Sequence, residues 1–288
     1  MKIGVIGSIN TDIIYQIDHL PKVGESMFGS TYDILSGGKG ANQAIILNSL
    51  EKDVVFLGAV GTDIFSYQAK KNFEDKNLKS EILTKEGNSG LAIIQLSNKD
   101  NQIVVFKGSN DLITIEDIDK FFDKYPDIEL IVSQAEINLN TIEYLINLAY
   151  KRDIKIVMNP APAMKLKKEL IDKVTYLIPN EIEAEVIFNT KDLKQIVKDN
   201  LGKVLITLGK DGVMYFDKGK VQNMPSQEIE VVDTTGAGDS FVAGFTSGIA
   251  KGLSLKDAIK KGIDVASITC KYIGAQTSCK QIEKEFKL

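Results

Sequence analysis

The sequence predicts an α/β fold, a mostly parallel central sheet sandwiched by helices with a small β-sheet lid, and three observations carry that expectation. Short β-rich apolar runs alternate with helical patterns. Two regions break that rhythm with extended segments. The chain's 288 residues, 43% hydrophobic and 26% charged, suffice for one large core. The runs at residues 2–7, 54–58, 129–133, 154–158, 174–178 and 204–208 read as buried strands. Between them Ile142, Leu145, Ile146 and Ala149 recur at helical spacing after Asn140, and Thr114 with Asp117 resembles a capping box ahead of Ile118, Phe121 and Phe122. Such alternation implies right-handed crossovers and helices on both faces of the sheet.

In the first irregular region, residues 11–35, Ile13, Tyr15 and Ile17 alternate ahead of a second extended piece at 27–35. In the second, residues 89–109, a hairpin is expected from 91–96 and 102–106 around the polar turn 97–101. Four strands outside the alternation need somewhere to pack, and a β lid over the main sheet is the economical answer. Its exposed apolar face would pair with a second copy, giving a homodimer. No repeat, low-complexity tract or Pro/Ser-rich linker interrupts the chain, so residues 1–288 are expected to form one domain with the lid strands interleaved.

Net charge is −4 and the isoelectric point about 5.3, without a basic block, which argues against sequence-independent nucleic-acid binding and against an anionic membrane surface. No apolar run approaches the roughly 18 to 20 residues of a membrane span. The apolar opening, residues 1–7, is too short for a secretory signal, and Cys270 and Cys279 lack a metal-like spacing and read as reduced thiols, so a cytoplasmic protein is expected. Arg152 is the only arginine, so phosphate chemistry here must rely on backbone donors, lysine and metal. The single histidine, His19, sits in an expected loop, which leaves no histidine cluster for zinc and argues against a Ser-His-Asp triad.

The densest chemical motif is Asp-Thr-Thr-Gly-Ala-Gly-Asp at residues 233–239. Gly236 and Gly238 let the backbone turn its N–H groups outward at the start of an expected helix over 240–249. A helix N-terminus carries about half a positive charge and unpaired donors, so it seats phosphate. Asp239 lies in that first turn, placed to take a proton from an attacking hydroxyl. A simple turn with an Asp cap is the plainer alternative, and the other polar residues weigh against it. Asn10 and Asp12, Gln134 and Glu136, Asn159, Asn180 and Glu183, and Thr207 with Gly209 each follow an expected strand, at the carboxyl rim where parallel sheets bind ligands. Residues 36–44 set three glycines, Gly37, Gly38 and Gly40, around Lys39 and then offer Asn42, an opening suited to a flat, hydroxyl-rich ligand. Neither a Walker loop nor a dinucleotide fingerprint is present.

Together with Asn159-Pro-Ala-Pro at 159–162 and Gly-Ala-Gln at 274–276, these motifs make the chain resemble the ribokinase-like (pfkB) carbohydrate kinases nearly end to end. The resemblance implies ATP-dependent phosphorylation of a sugar, D-ribose at its 5-hydroxyl foremost, with another sugar or nucleoside kinase (deoxyribose, fructose) as the alternative and a non-catalytic sugar-binding regulator further off. It implies that Asn10, Asp12, Gly38, Lys39, Gly40, Asn42 and Glu136 surround the sugar, with Asp239 as base and Gly236, Ala237 and Gly238 as anion hole. Asn180, Thr207, Leu208, Gly209, Lys210, Asp211, Gly212 and Gly238 would border ATP, and Glu183 would help hold water on Mg2+. A K+ site would involve Asp233, Thr235, Thr269, Tyr272, Gly274 and Ser278, mainly through backbone oxygens. One position departs from the pattern: Ile263, followed by Asp264, stands where many relatives place Asn or His against adenine, so contact there would be apolar.

Overall fold

The computed structural model describes residues 1–97 and 101–286. Its centre is a parallel sheet of six strands in the spatial order Tyr176–Leu177, Lys155–Asn159, Ile128–Gln134, Lys2–Ile6, Val54–Val60 and Lys79–Thr84. The chain winds outward from Lys2–Ile6 in one direction through Val54–Val60 and in the other through Ile128–Gln134. That reversal opens a crevice at the carboxyl ends of these strands, the place where such sheets bind ligands.

Side chains on a strand alternate between faces, and the core divides accordingly. Ile3, Val5, Phe56, Leu130 and Val132 pack on one face with Ile45, Phe245 and Ile259. Val55, Leu57, Ile131 and Ile156 pack on the other with Phe121, Phe122, Leu145 and Ile146. Helix Ile115–Lys124 begins with the expected box: Thr114 accepts from the Asp117 amide and Asp117 accepts from that of Thr114. Helix Leu139–Lys151 buries the Ile142, Leu145, Ile146 and Ala149 stripe and is capped by Asn138.

Several elements differ from expectation. The strand expected at 174–178 is only Tyr176–Leu177, because helix Lys168–Lys173 runs up to Val174. Beyond it, parallel bridges from Leu177 to Val204 and Asn180 to Thr207 lead into an antiparallel sheet of Ile206–Thr207, shorter than the strand expected at 204–208, with Val213–Asp217 and Lys220–Met224, a hairpin that was not expected although residues 213–216 are apolar. Lys79–Thr84 is a half-exposed edge strand whose polar residues hide its period.

The lid is a four-stranded sheet in the order Thr31–Gly37, Asn10–Gln16, Gly90–Leu96, Asn101–Phe106. The expected hairpin is present, and most of its turn, residues 98–100, lies outside the described residues. The second extended piece begins at Thr31 and not at residue 27. Register places Asp12, Leu35, Ala92 and Val105 on one face and Ile13, Ile34, Ile93 and Val104 on the other. Among the described residues no helix is long and apolar enough to cross a membrane.

Candidate active site

Helix Lys39–Asn48 starts against the end of the first strand so closely that a Cβ on Gly40 would strike Ser8 N and the Gly7 backbone. Glycine there lets the helix bring Asn42 and Gln43 to helix Ala237–Ala250, where Asp239 sits in the first turn, 5% exposed. The Asp239 carboxylate is held at both oxygens: Asn42 Nδ2 donates to Oδ2 and Gln43 Nε2 to Oδ1, each at 2.9 Å. The cap of that helix is Gly236 at φ 76, with no side-chain bond to the first turn. Ala237 N–H turns back to Thr234 O at 3.1 Å, so Gly238 is the residue of the turn that opens on space.

The residues expected around the sugar converge. Glu136 accepts from Ser8 Oγ at 2.5 Å and from the Lys39 amide at 3.1 Å. Asn10 pairs with Gly37 and Gly90 at the root of the lid, and a Cβ on Gly38 would lie 2.6 Å from Asn10 N. Asn110 Nδ2 donates to Asn10 Oδ1 at 2.8 Å, leaving the Asn10 amino group free to donate. Asp12 projects from the same lid root and its acidity is pushed up to about 7, by burial first, then by the charges of Glu136 and Asp239, with Lys39 opposing. Burial likewise pushes Glu136 up, while the Asp239 carboxylate, aided by Glu136, holds the Lys39 ammonium above the ordinary lysine range. Several carboxylates thus share one half-buried lysine, a field that favours a hydroxyl-rich ligand over another anion at this spot.

Next to it, Lys39, Asn180, Glu183, Gly238 and Asp239 line a cavity of about 90 Å³. It adjoins a larger one of about 710 Å³, which Asn180, Thr207, Gly238 and other residues border. Of the residues expected to border nucleotide, Asn180, Thr207, Gly209, Lys210, Gly212 and Gly238 line the large cavity. Leu208 and Asp211 are not among its walls: Leu208 packs against the second core cluster, and Asp211 is exposed. Its apolar wall includes Ile229, Val231, Phe241, Ala266 and Ile263, the last 6% exposed, while Asp264 is engaged by Gln227 Nε2 at 2.6 Å and Lys260. Asn180 and Glu183 form a capping box on helix Glu181–Phe188, and burial pushes the Glu183 carboxyl up.

Behind the glycine turn, Asp233 Oδ1 accepts from Thr235 N and Oγ1, and Oδ2 accepts from Gly274 N at 2.8 Å. Burial raises the Asp233 carboxyl, but these bonds from Gly274 and Thr235 outweigh it and hold it below the usual range. Thr269 and Ser278 belong to a separate buried hydroxyl cluster with Ser240, and Tyr272 N bonds Thr269 O at 3.0 Å. Among the described residues no group of three His, Cys, Asp or Glu is placed to hold a metal. His19, exposed, faces Glu25 at 2.9 Å, outside the site.

Sequence reasoning left Gln43, Ser8 and Asn110 without roles. A signal for Gln43 exists: in the buried helix stretch 40–47, where Asn42 is the one other polar residue, a polar side chain needs partners.

The family model "pfkB family carbohydrate kinase" matches residues 1–282. The chain is 36% identical over 277 residues to the ribokinase of Bacillus subtilis (strain 168), covering 96% of this chain and 94% of that one. It is 32% identical over 297 residues to the deoxyribokinase of Salmonella typhimurium, covering 99% and 97%. Among solved structures it resembles a ribokinase from Thermotoga maritima, with a TM-score of 0.87, 28% identity and coverage of 99% and 98%. It also resembles an Arabidopsis thaliana ribokinase complexed with ribose and ATP, with a TM-score of 0.84, 26% identity and coverage of 100% and 99%.

Proposed function

We propose that this chain, which belongs to the pfkB family of carbohydrate kinases and is an ATP-dependent sugar kinase, acts on D-ribose at its 5-hydroxyl, giving D-ribose 5-phosphate and ADP. The observation that carries this reading is a buried Asp239 carboxylate in the first turn of a helix with no side-chain cap, facing a phosphate-sized cavity with Lys39 beside it. Asn10, Asp12, Asn42 and Glu136 present donors and acceptors to the sugar hydroxyls. Asp239 takes the proton of the 5-hydroxyl as its oxygen bonds to the terminal phosphorus of ATP, the phosphorus–oxygen bond to ADP breaks, and ADP departs with that electron pair. The start of helix Ala237–Ala250 and the Lys39 ammonium meet the charge of the migrating group without an arginine.

Of the two carboxylates on the small cavity, Asp239 is tied to Asn42 and Gln43, which leaves Glu183 to help hold water on Mg2+, where the ion would neutralise phosphate charge. The loops cross-linked by Asp233 offer an oxygen-only donor set suited to K+, with Thr235 and Gly274 held directly and Thr269, Tyr272 and Ser278 close behind. We place the enzyme in the cytoplasm as a homodimer joined through the lid, supported by its unpaired cysteines and by the apolar outer face of that sheet. ADP release measured over D-ribose, 2-deoxyribose, fructose and nucleosides, with and without K+, tests the substrate. A higher kcat/KM for 2-deoxyribose than for D-ribose would transfer the assignment to that sugar. Asp239→Asn should keep sugar and ATP binding and lose about 10²–10⁴-fold in kcat; near-normal turnover would remove the base.

A further inference from the structure

Gln43 is fully buried on helix Lys39–Asn48, and both N–H donors and the oxygen of its amide are engaged. Its Nε2 donates to Asp239 Oδ1 at 2.9 Å and to Asn159 Oδ1 at 3.1 Å, while its Oε1 accepts from Gln134 Nε2 at 2.7 Å. The partners fix its orientation. Asn159 Nδ2 donates to Ile178 O at 2.8 Å, so the Asn159 oxygen must face Gln43. A flipped Gln43 would set its oxygen against two acceptors and its amino group against the Gln134 donor. Asn159 and Gln134 are the last residues of adjacent strands of the central sheet, Lys155–Asn159 and Ile128–Gln134. One amide therefore links the Asp239 carboxylate to two neighbouring strands of the central sheet.

Resting on the reading of Asp239 as the base, we propose that Gln43 is its positioning residue: by donating to Oδ1 it fixes the carboxylate plane, so that the remaining lone pairs face the sugar hydroxyl. Asn42 cannot do this alone. It holds the other oxygen, but it stands among the groups that meet the sugar, and its own oxygen is tied to Gln276 Nε2 at 2.8 Å on the C-terminal loop and not to the sheet. Gln134 supports Gln43 at a cost, since its Oε1 is buried without a partner beside Gly7.

The test is Gln43→Met, of similar length but without a donor, with Asp239→Asn and Gln134→Leu in parallel, reading kcat, both KM values and the pH profile of kcat. The expected result for Gln43→Met is a fall in kcat of about 10- to 100-fold, as small misplacements of a reacting group produce. Sugar and ATP KM should stay within about threefold, and the acid limb of kcat should move up by about one pH unit, because a carboxylate that loses a donor is protonated more easily. Gln134→Leu, which frees Gln43 to turn, should shift the same limb less, and it decides the matter if Gln43→Met does not fold. An inactive Asp239→Asn beside a Gln43→Met enzyme with kcat within about twofold of the parent, or with reduced kcat and an unmoved acid limb, overturns the positioning role while leaving the base in place. An active Asp239→Asn instead removes the base itself.

Discussion

Replacing Gly238 by alanine separates folding from chemistry more cleanly than any other change in the glycine turn. Gly238 is the second residue of helix Ala237–Ala250, has no left-handed φ, and a Cβ built on it would meet no protein atom within 4 Å. Alanine is favoured over glycine in a helix by up to about 1 kcal/mol, less in a first turn, so stability should hold or rise, with Tm up by about 1–3 °C in a chain of this size. The same methyl would project where Gly238 borders both cavities, in the space a migrating phosphoryl group must enter. The backbone N–H stays, but the methyl would hold the phosphoryl group off it; losing contact with one anion-hole donor costs about 10²–10³-fold in kcat, or about 2.7–4 kcal/mol, and that is the expected loss. Coupled ADP release and thermal unfolding on the same preparation read both effects. Full activity with unchanged ATP KM would refute the placing of phosphate against this turn, and a fall in Tm of more than about 5 °C would refute the claim that the site is open. Gly236→Ala is a poor substitute, because Gly236 has φ 76 and its Cβ would lie 2.7 Å from Ala275 Cα, so the fold suffers first.

Three other expectations follow from charge and exposure. Asp12, at about 7 when folded against 3.8 otherwise, binds its proton more tightly in the folded state, so the stability it contributes is present at low pH and is lost as pH rises through about 7. Asp12→Asn should flatten that part of a Tm–pH curve, and the parent's sugar KM should fall between about pH 6 and 8 as the carboxylate that accepts sugar hydroxyls ionises. Lys261, buried beside Ser247 and Glu51, is pushed down to about 8 from 10.5, by burial first and then by Lys251. The unfolded chain keeps that proton to higher pH, so stability should rise between about pH 8 and 10.5, and Lys261→Met, which leaves Lys251 with Glu51 at 3.3 Å, should abolish the rise in a denaturant titration. On the outer lid face Tyr32 is 72%, Ile34 51% and Phe106 51% exposed. Ile34→Glu should convert a dimer to monomer in sedimentation, whereas a parent that is already monomeric would remove the lid interface.

The periodic elements were legible because burial writes itself into sequence: Ile3, Val5 and Val132 against Ile131 and Leu57 declare a sheet covered on both sides, and the Thr114–Asp117 box marks a helix start by local chemistry. The lid's strands were readable from their β-rich apolar residues although much of that sheet is exposed, whereas Lys79–Thr84 and the Lys220–Met224 strand were not, since half-exposed edges tolerate polar residues at either parity. The candidate site was legible as types of residue: a glycine turn with Asp239 in the next helix, and polar side chains after strands. What the sequence by itself determined is therefore the alternation that gives a layered fold, the glycine turn and the acid beside it, all written in patterns a few residues long. Only the tertiary structure decided that Gln43, 196 residues from Asp239, donates a hydrogen bond to that acid, or that Leu208 and Asp211 are not among the walls of the large cavity. A hydrogen bond across the fold depends on where two helices meet, and that meeting is set by the packing of the whole core.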